Sequence, residues 1–123
     1  MTDAARVADY LGPIPRAIER IGQYAAGMDP AAFLANELVQ DAVVRNIEIL
    51  GEAANKVQRD APAFAARHGD IPWLVMYTMR NRVSHAYDKV DLEIVWNTIR
   101  NDLPALRARI QAVQASISDI HEP

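Results

Sequence analysis

The sequence predicts an all-α fold: an antiparallel four-helix bundle with short satellite helices and no sheet. Apolar residues recur at three- and four-residue steps along most of the chain, which is the spacing of one helix face. No stretch alternates apolar and polar residues as a half-buried strand does. Because 123 residues can form one core and no linker-like tract interrupts them, we expect a single helical domain over residues 1–118 and a frayed tail over 119–123.

The first apolar stripe is interrupted once, at Gly12-Pro13-Ile14-Pro15. Each proline removes a backbone donor and crowds the preceding turn, so we expect a break or a kink there. Asp29 and Pro30 then restart a short helix through Phe33 and Leu34, with Asp29 as N-cap and Pro30 at the first helical position. The apolar stripe of this first helical stretch is Val7, Tyr10, Leu11, Ile14, Ile18, Ile21 and Tyr24.

A long helix is predicted from about Glu37 to Arg59. Gly51 lies in its middle, where a glycine costs about 1 kcal/mol relative to alanine. That cost indicates either the close approach of another helix or space for a substrate. The expected buried stripe is Leu38, Ala42, Ile47, Leu50, Ala54 and Val57.

Two further helical stretches complete the bundle. One is predicted to begin around Pro72, and the last one follows Asp91, its expected N-cap. Pro104 is expected to kink the last helix. Trp73 and Trp96 lie on apolar stripes, so we expect both in the core rather than as platforms for stacking bases.

Composition restricts the functions that the chain can have. The net charge is −3 and there is no cysteine. Without thiolates, a His-Glu-x-x-His pattern or a Gly-rich phosphate loop, we expect no metal site and no cofactor. No signal-peptide pattern and no apolar run of roughly 18 residues is present, which favours a cytoplasmic protein with no membrane partner.

The acidic balance argues against a broad nucleic-acid surface, because such a surface depends on many phosphate contacts. RNA binding would therefore need a local cationic cleft. Arg80 and Arg82 are close together in the sequence, whereas Arg45 and Lys56 could join them only through the fold.

The segment Arg80-Asn81-Arg82-Val83-Ser84-His85-Ala86-Tyr87 carries the candidate chemistry. Arg80 supplies a permanently charged, planar clamp for phosphate, and His85 can move a proton near neutral pH. On one straight helix these two residues lie roughly 140° apart and share no face. Either the helix ends before His85, or a second copy of the chain completes the site. A bystander interpretation stays open, in which Arg80 is a surface cation and His85 caps a helix end.

Several segments, in order along the chain, carry a family resemblance between about Ile18 and Ile110. They are Gln40-Asp41-Ala42-Val43-Val44-Arg45-Asn46, Ile49-Leu50-Gly51-Glu52-Ala53-Ala54, Ile71-Pro72-Trp73, Met79-Arg80-Asn81 with His85 and Tyr87, Val90-Asp91 with Val95-Trp96, and Leu103-Pro104-Ala105-Leu106. In these the chain resembles the HEPN superfamily (higher eukaryote and prokaryote nucleotide-binding domains), and within it the HepT-like ribonuclease toxins of type II or type VII toxin-antitoxin pairs. Pro13 and Pro15 depart from the family, whose first helix usually runs through the equivalent stretch.

The resemblance implies a metal-independent endoribonuclease that acts as a homodimer, with paired Arg and His residues lining a cleft at the interface. Arg80 and His85 would be catalytic, and Asn81 would orient His85 or bond a phosphate oxygen. RNA would supply its own 2′-OH as the nucleophile and leave products with 2′,3′-cyclic or 3′ phosphate ends. The expected substrate is RNA, and no DNA substrate is expected.

Tyr87 has a specific meaning in this family. In HepT-like toxins the tyrosine of the Arg-Asn-x3-His-x-Tyr pattern receives AMP from ATP, transferred by a cognate nucleotidyltransferase antitoxin that thereby silences the toxin. The added phosphate would place negative charge and bulk beside Arg80 and His85. The alternative is an ordinary half-buried tyrosine with its hydroxyl in water.

Arg82 and Arg45 are candidate supporting cations, and Glu52 either pairs with Arg80 or Arg45 or is a solvated acid. The competing function is a non-catalytic binding subunit of a minimal nucleotidyltransferase, since some HEPN proteins lack the Arg-x4-His motif and serve in that way. The arrangement of Arg80 and His85 distinguishes the two: an enzyme needs both on an open cleft, whereas internal salt bridges would favour the binding subunit.

Overall fold

The computed structural model describes residues 3–85 and 91–121, with side chains for 5–83 and 91–117. These residues form helices and no strand, which confirms the all-α prediction for the described part of the chain. Within them no helix is long and apolar enough to cross a membrane. The helices in chain order are α1 (Asp3–Leu11), α2 (Pro13–Tyr24), α3 (Pro30–Leu34), α4 (Glu37–Asp60), α5 (Pro62–Arg67), α6 (Trp73–His85), α7 (Leu92–Asn101) and α8 (Leu103–His121).

The long helices α2, α4, α6 and α8 form the antiparallel bundle, and the shorter helices pack around them. Helix α4 is central, because it packs against both α2 and α6, while α2 also packs against α8. The core is continuous and entirely apolar apart from Asn46, which lies on α4. Its largest fully buried side chains are Phe33, Leu11, Ile14, Ile21, Ile47, Ile71 and Ile110.

The break between α1 and α2 occurs where the two prolines predicted it. Pro13 is the first residue of α2, and the Gly12 N–H still donates to the Ala8 carbonyl oxygen at 3.2 Å. Val7 and Leu11 before the break and Ile14 after it are all fully buried, so both helices contribute to one core. The buried part of the apolar stripe ends before Tyr24, which is 41% exposed because α2 ends at this residue.

The predicted long helix is confirmed as α4, but two of its expected buried residues differ: Ala42 is half-buried, and Leu38 is wrong. Leu38 is 80% exposed. Asn36 caps this helix by accepting a hydrogen bond from the Val39 N–H at 3.0 Å. Val39, about 100° further round the helix, takes the position against the core that Leu38 was predicted to occupy.

Helix starts follow the predicted capping residues. The Asp29 carboxylate accepts from the Ala32 N–H at 2.8 Å, and the Asp91 carboxylate accepts from the N–H groups of Glu93 and Ile94. Pro104 was predicted to kink one long helix, whereas the chain forms two helices, α7 and α8. Pro104 lies near the start of α8 and has no N–H, so the backbone hydrogen bonds of α7 cannot continue through it.

Both tryptophans are in the core, as predicted: Trp73 is 4% exposed and Trp96 is 6% exposed. Helix α8 continues to His121, so it extends into the segment 119–123 that the sequence predicted as a frayed tail. Each added helical residue gains one backbone hydrogen bond once the helix exists, which accounts for the extension.

Candidate functional site

The site is organised by the contact between α4 and α6 at Gly51. A Cβ added to Gly51 would overlap the Cβ of Arg80 and lie 2.8 Å from the carbonyl oxygen of Met76. No side chain larger than hydrogen fits there, so the backbone of α4 and the Arg80 turn of α6 are in direct contact. Of the two explanations for a mid-helix glycine, the close approach of another helix is the one observed.

Two neighbours orient the Arg80 side chain. Its Nη1 donates to the Asn81 Oδ1 at 3.0 Å, and its Nη2 lies 3.6 Å from the Glu52 Oε2. Its Nε is buried and has no hydrogen-bond partner in the described part of the chain. The guanidinium is therefore held in place without all of its N–H donors being used, and the side chain remains 28% exposed.

Asn81 thus has a contact that the sequence did not predict. Its carbonyl oxygen accepts from Arg80, whereas the expected roles were to orient His85 or to bond a phosphate oxygen. Its amide N–H groups are the atoms left for either role, because the oxygen is already in use.

Arg80 lines an open cleft of 340 Å³ between α4 and the region where α1 meets α2. We call it the Arg80 cleft. Two of the predicted cations, Arg45 and Lys56, reach it from α4, although neither is near Arg80 in the sequence. Arg82 is exposed and is not among the lining residues. The lining residues are Asp9, Tyr10, Pro13, Arg45, Glu48, Ile49, Glu52, Ala53, Lys56 and Arg80.

Glu52 pairs with Arg80 rather than standing alone in solvent, which decides between the alternatives left open for it. The pair is loose, with 42% of the Glu52 side chain exposed. Ion pairs at such exposure contribute about 0–1 kcal/mol, because water and salt screen them. An incoming phosphate can therefore replace the Glu52 carboxylate at little cost.

The sequence did not identify the hydrogen-bond network that holds Tyr10, one of the residues lining the cleft. The Tyr10 hydroxyl donates to the Asp60 Oδ2 at 2.7 Å, and the Arg59 Nε donates to the Asp60 Oδ1 at 3.0 Å. The hydrogen bonds from Arg59 and Tyr10 lower the pKa of Asp60 from 3.8 to about 2, and the bond to Asp60 raises the pKa of Tyr10. This network joins α1 to the end of α4. Its one sequence signal was the phenol of Tyr10 on the apolar stripe of the first helical stretch.

Helix α6 is continuous from Trp73 to His85, so the helix does not end before His85. The two motif residues are therefore on one helix, roughly 140° apart around its axis and about 7.5 Å apart along it. His85 is described by its backbone alone, and Tyr87 lies outside the described residues. Within one chain, α6 directs Arg80 toward Gly51 and places His85 at a position on a different face.

The outward face of α6 carries exposed apolar residues. Leu74 is 64% exposed and Val75 is 62% exposed. Leu74, Thr78 and His85 are four and seven residues apart, so their positions share one helix face. The backbone position of His85 thus lies on the outward face of α6, which no described part of the chain covers.

Comparison with known proteins places both motif residues inside a matched region. The profile of the family described as Ribonuclease HepT-like matches residues 14–113. The probable ribonuclease HepT of Thermococcus cleftensis is 36% identical over 106 residues, which are 86% of this chain and 94% of that protein. No solved structure matches the chain.

Two further relatives are more distant. A Methanocaldococcus jannaschii protein named "Gamma-glutamylcyclotransferase and putative RNase" is 32% identical over 108 residues, which are 88% of this chain but 47% of that protein. A "Putative RNase" of Caldanaerobacter subterraneus is 28% identical over 104 residues, which are 85% of this chain and 90% of that protein.

Proposed function

The chain belongs to the HepT-like ribonuclease family, and on that basis we propose that it is a metal-independent endoribonuclease, the toxin of a toxin-antitoxin pair. Its active site would be built across a homodimer and silenced by AMPylation of Tyr87. The observation that carries the proposal is the placement of Arg80: α4 fixes its backbone, Asn81 and Glu52 orient its guanidinium, and its tip faces an open cleft.

Arg80 has the geometry of a phosphate clamp. Attack on an RNA phosphodiester builds negative charge on the non-bridging oxygens, and a guanidinium held in advance stabilises that charge without reorganising. The weakly paired Nη2 is the donor available to those oxygens, because Nη1 already donates to Asn81 and Nε is buried. Arg45 and Lys56 line the same cleft and add positive charge for neighbouring phosphates.

His85 would transfer the protons. The 2′-oxygen of the substrate ribose bonds to phosphorus as its proton passes to a base, and the 5′-oxygen leaves as it receives a proton. The product is a 2′,3′-cyclic phosphate on one fragment and a free 5′-hydroxyl on the other. A histidine can serve in either transfer because its ordinary pKa is close to neutral pH.

A second copy of the chain would complete the site. The course of α6 supports this proposal, because one helix cannot present Arg80 and His85 to the same phosphate. The exposed Leu74 and Val75 lie on or beside the helix face that carries the position of His85. A partner that packs on these apolar residues would bring its own cleft toward His85, as a two-fold interface does.

AMPylation of Tyr87 would block this site electrostatically. The phenol oxygen bonds to the α-phosphorus of ATP, pyrophosphate leaves, and the phenol proton is released. The cognate nucleotidyltransferase antitoxin would catalyse this transfer. The new phosphodiester is an anion two residues from His85, and it would compete with RNA for Arg80.

The experiment is cleavage of total RNA in EDTA by the purified wild-type protein, His85→Ala and Arg80→Lys, with intact mass measured to detect an adduct on Tyr87. We expect cleavage by wild type alone and cyclic phosphate ends on the products. Arg80→Lys keeps the charge but loses the planar fork, so its rate should fall about 10²-fold or more. Full cleavage by His85→Ala would contradict the assignment.

The Arg80–Glu52 pair favours a second candidate function, a non-catalytic partner subunit of a nucleotidyltransferase. In that case Glu52 would keep Arg80 from substrates permanently. Unmodified wild-type protein that leaves all RNAs intact, with or without Mg²⁺, would support this alternative. Cleavage that requires His85 would reject it.

A further inference from the structure

A second cleft lies between α2 and α8, and neither the motif nor the family comparison points to it. Its volume is 530 Å³, and we call it the α2 cleft. Polar side chains dominate it, with two arginines, two glutamines and one glutamate. Its lining residues are Gly12, Pro15, Arg16, Glu19, Arg20, Gln23 and Gln114.

The two arginines of the α2 cleft outnumber the one acid that lines it. Glu19 is the one acid among the lining residues, and the Arg107 Nη2 lies 3.6 Å from its Oε2. Within the described residues, Arg16 and Arg20 form no ion pair. The cleft is therefore a local concentration of positive charge on a chain whose net charge is −3.

The spacing of these arginines suits a strand of phosphates. Arg16 and Arg20 are four residues apart on α2, so they lie on one face with an axial separation of about 6 Å. Gln23 continues the same side of the helix, and Gln114 faces it from α8. Arginines give charge and forked donors to phosphate oxygens, and glutamine amides add neutral donors.

The α2 cleft adjoins the Arg80 cleft at the break between α1 and α2. Gly12 lines the α2 cleft, and the next residue, Pro13, lines the Arg80 cleft. The two clefts thus meet at this break, and a nucleic-acid strand bound at Arg80 could reach the arginines of α2 by crossing it.

We propose that the α2 cleft is an exosite for the phosphate backbone of single-stranded RNA, with Arg16 and Arg20 each contacting a phosphate. The inference rests on the proposed ribonuclease function and deepens it. Contacts of this type hold the strand in register and do not read its sequence. The exosite therefore favours longer substrates over short ones, whatever their base composition.

The test measures how RNA binding depends on salt. The probe is a 2′-O-methyl RNA of about 12 nucleotides, long enough for both clefts and resistant to cleavage because its 2′-oxygen is blocked. Binding is followed by fluorescence anisotropy for the wild type, Arg16→Gln/Arg20→Gln and Arg16→Lys/Arg20→Lys. The matched control is Arg67→Gln/Arg100→Gln, which has the same net charge but changes α5 and α7, outside both clefts.

Removing two phosphate contacts should reduce the slope of log K against log salt by about 1.4. The lysine pair should keep most of the wild-type slope, and so should the control. A slope unchanged in Arg16→Gln/Arg20→Gln, or reduced equally in the control, would overturn the exosite. Failure of wild type to cleave unmodified RNA would overturn the ribonuclease proposal instead, because this binding measurement needs no cleavage.

Discussion

The two clefts that meet at the break between α1 and α2 differ in how their charges are arranged. The Arg80 cleft has as many acids as cations, and its central arginine is fixed by the α4 backbone, Asn81 and Glu52. The α2 cleft has an excess of positive charge, and its two arginines form no ion pair within the described residues. The first arrangement orients a cation, while the second leaves cations available.

The difference matches the physical needs of catalysis and of binding. A group that stabilises a transition state must already be in place, because reorganising it during the reaction raises the barrier. A group that attracts a polyanion works through net charge, and holding it rigidly brings little benefit. Changes to Arg80's surroundings should therefore affect rate, and changes on α2 should affect affinity.

The largest effect is expected from Gly51→Ala. The new methyl group would overlap Arg80 and the Met76 carbonyl oxygen, so α6 would have to move away from α4. We expect a loss of about 1–3 kcal/mol in the free energy of unfolding from overpacking. The cleavage rate should fall about 10²-fold, since displacing a catalytic group by about 1 Å has that cost. Denaturant unfolding and single-turnover cleavage measure the two effects.

Gly22→Ala is the matched control for that substitution, and it lies on α2, the helix of the other cleft. Nothing lies within 4 Å of a Cβ added at Gly22. Alanine there should stabilise the protein by up to about 1 kcal/mol, because it improves helix propensity without a clash. Equal effects of the two substitutions on stability and rate would mean that the contact between Gly51 and Arg80 does not position the site.

A smaller effect is expected from Glu52→Gln, which removes the counter-ion of Arg80 and makes its cleft more like the α2 cleft. RNA no longer has to displace a carboxylate, so the 2′-O-methyl probe should bind about two- to fivefold more tightly at low salt. The control is Asp9→Asn, which also removes one negative charge from the Arg80 cleft. Asp9 forms no bond to Arg80. Equal tightening by both variants would show a general charge effect and contradict a specific role for Glu52.

The smallest effect is expected from Tyr10→Phe, which loosens the wall that joins α1 to α4. The pKa of Asp60 is lowered to about 2 in the folded protein, so its ionised form contributes stability above pH ~3.8 that is lost as the pH falls toward 2. Phenylalanine removes one of the two hydrogen bonds that lower this pKa. The thermal midpoint should therefore be lower than that of wild type near neutral pH.

The gap between the two midpoints should narrow as the pH falls from about 4 to 2, because protonated Asp60 no longer benefits from the phenol. Thermal unfolding monitored by circular dichroism at a series of pH values provides the measurement. A gap that stays constant down to pH 2 would mean that the Tyr10–Asp60 hydrogen bond contributes nothing through the charge of Asp60.

Local chemistry made much of the fold predictable. The prolines near Gly12 located the break, Asp29 and Asp91 located two helix starts, and Gly51 indicated either a close helix or space for a substrate, of which the structure shows the first. Each of these features depends on a few residues that are neighbours in the sequence, so it can be predicted without the structure. Leu38 was predicted wrongly because hydrophobic periodicity shows which residues share a helix face. It does not show at which turns another helix covers that face.

The sequence identified the candidate site only in part, for the same reason. The motif located Arg80 and Asn81, but the rest of the Arg80 cleft comes from α1 and α4 through tertiary packing. Arg45 and Lys56 were named without a position, and the bond between Tyr10 and Asp60 spans fifty residues. The α2 cleft had no sequence signal, since Arg16 and Arg20 look like ordinary surface residues until Glu19 is seen to pair with Arg107.

The central claim is that one active site takes Arg80 from one chain and His85 from another. The direct measurement is to mix Arg80→Ala and His85→Ala proteins, let subunits exchange, and record RNA cleavage in EDTA, with native mass spectrometry to count mixed dimers. Each protein alone should be inactive. In a two-fold dimer, one of the two sites of every mixed dimer regains both residues, so the mixture should reach up to about a quarter of wild-type activity. A mixture that exchanges subunits and stays as inactive as its parents would contradict the shared site.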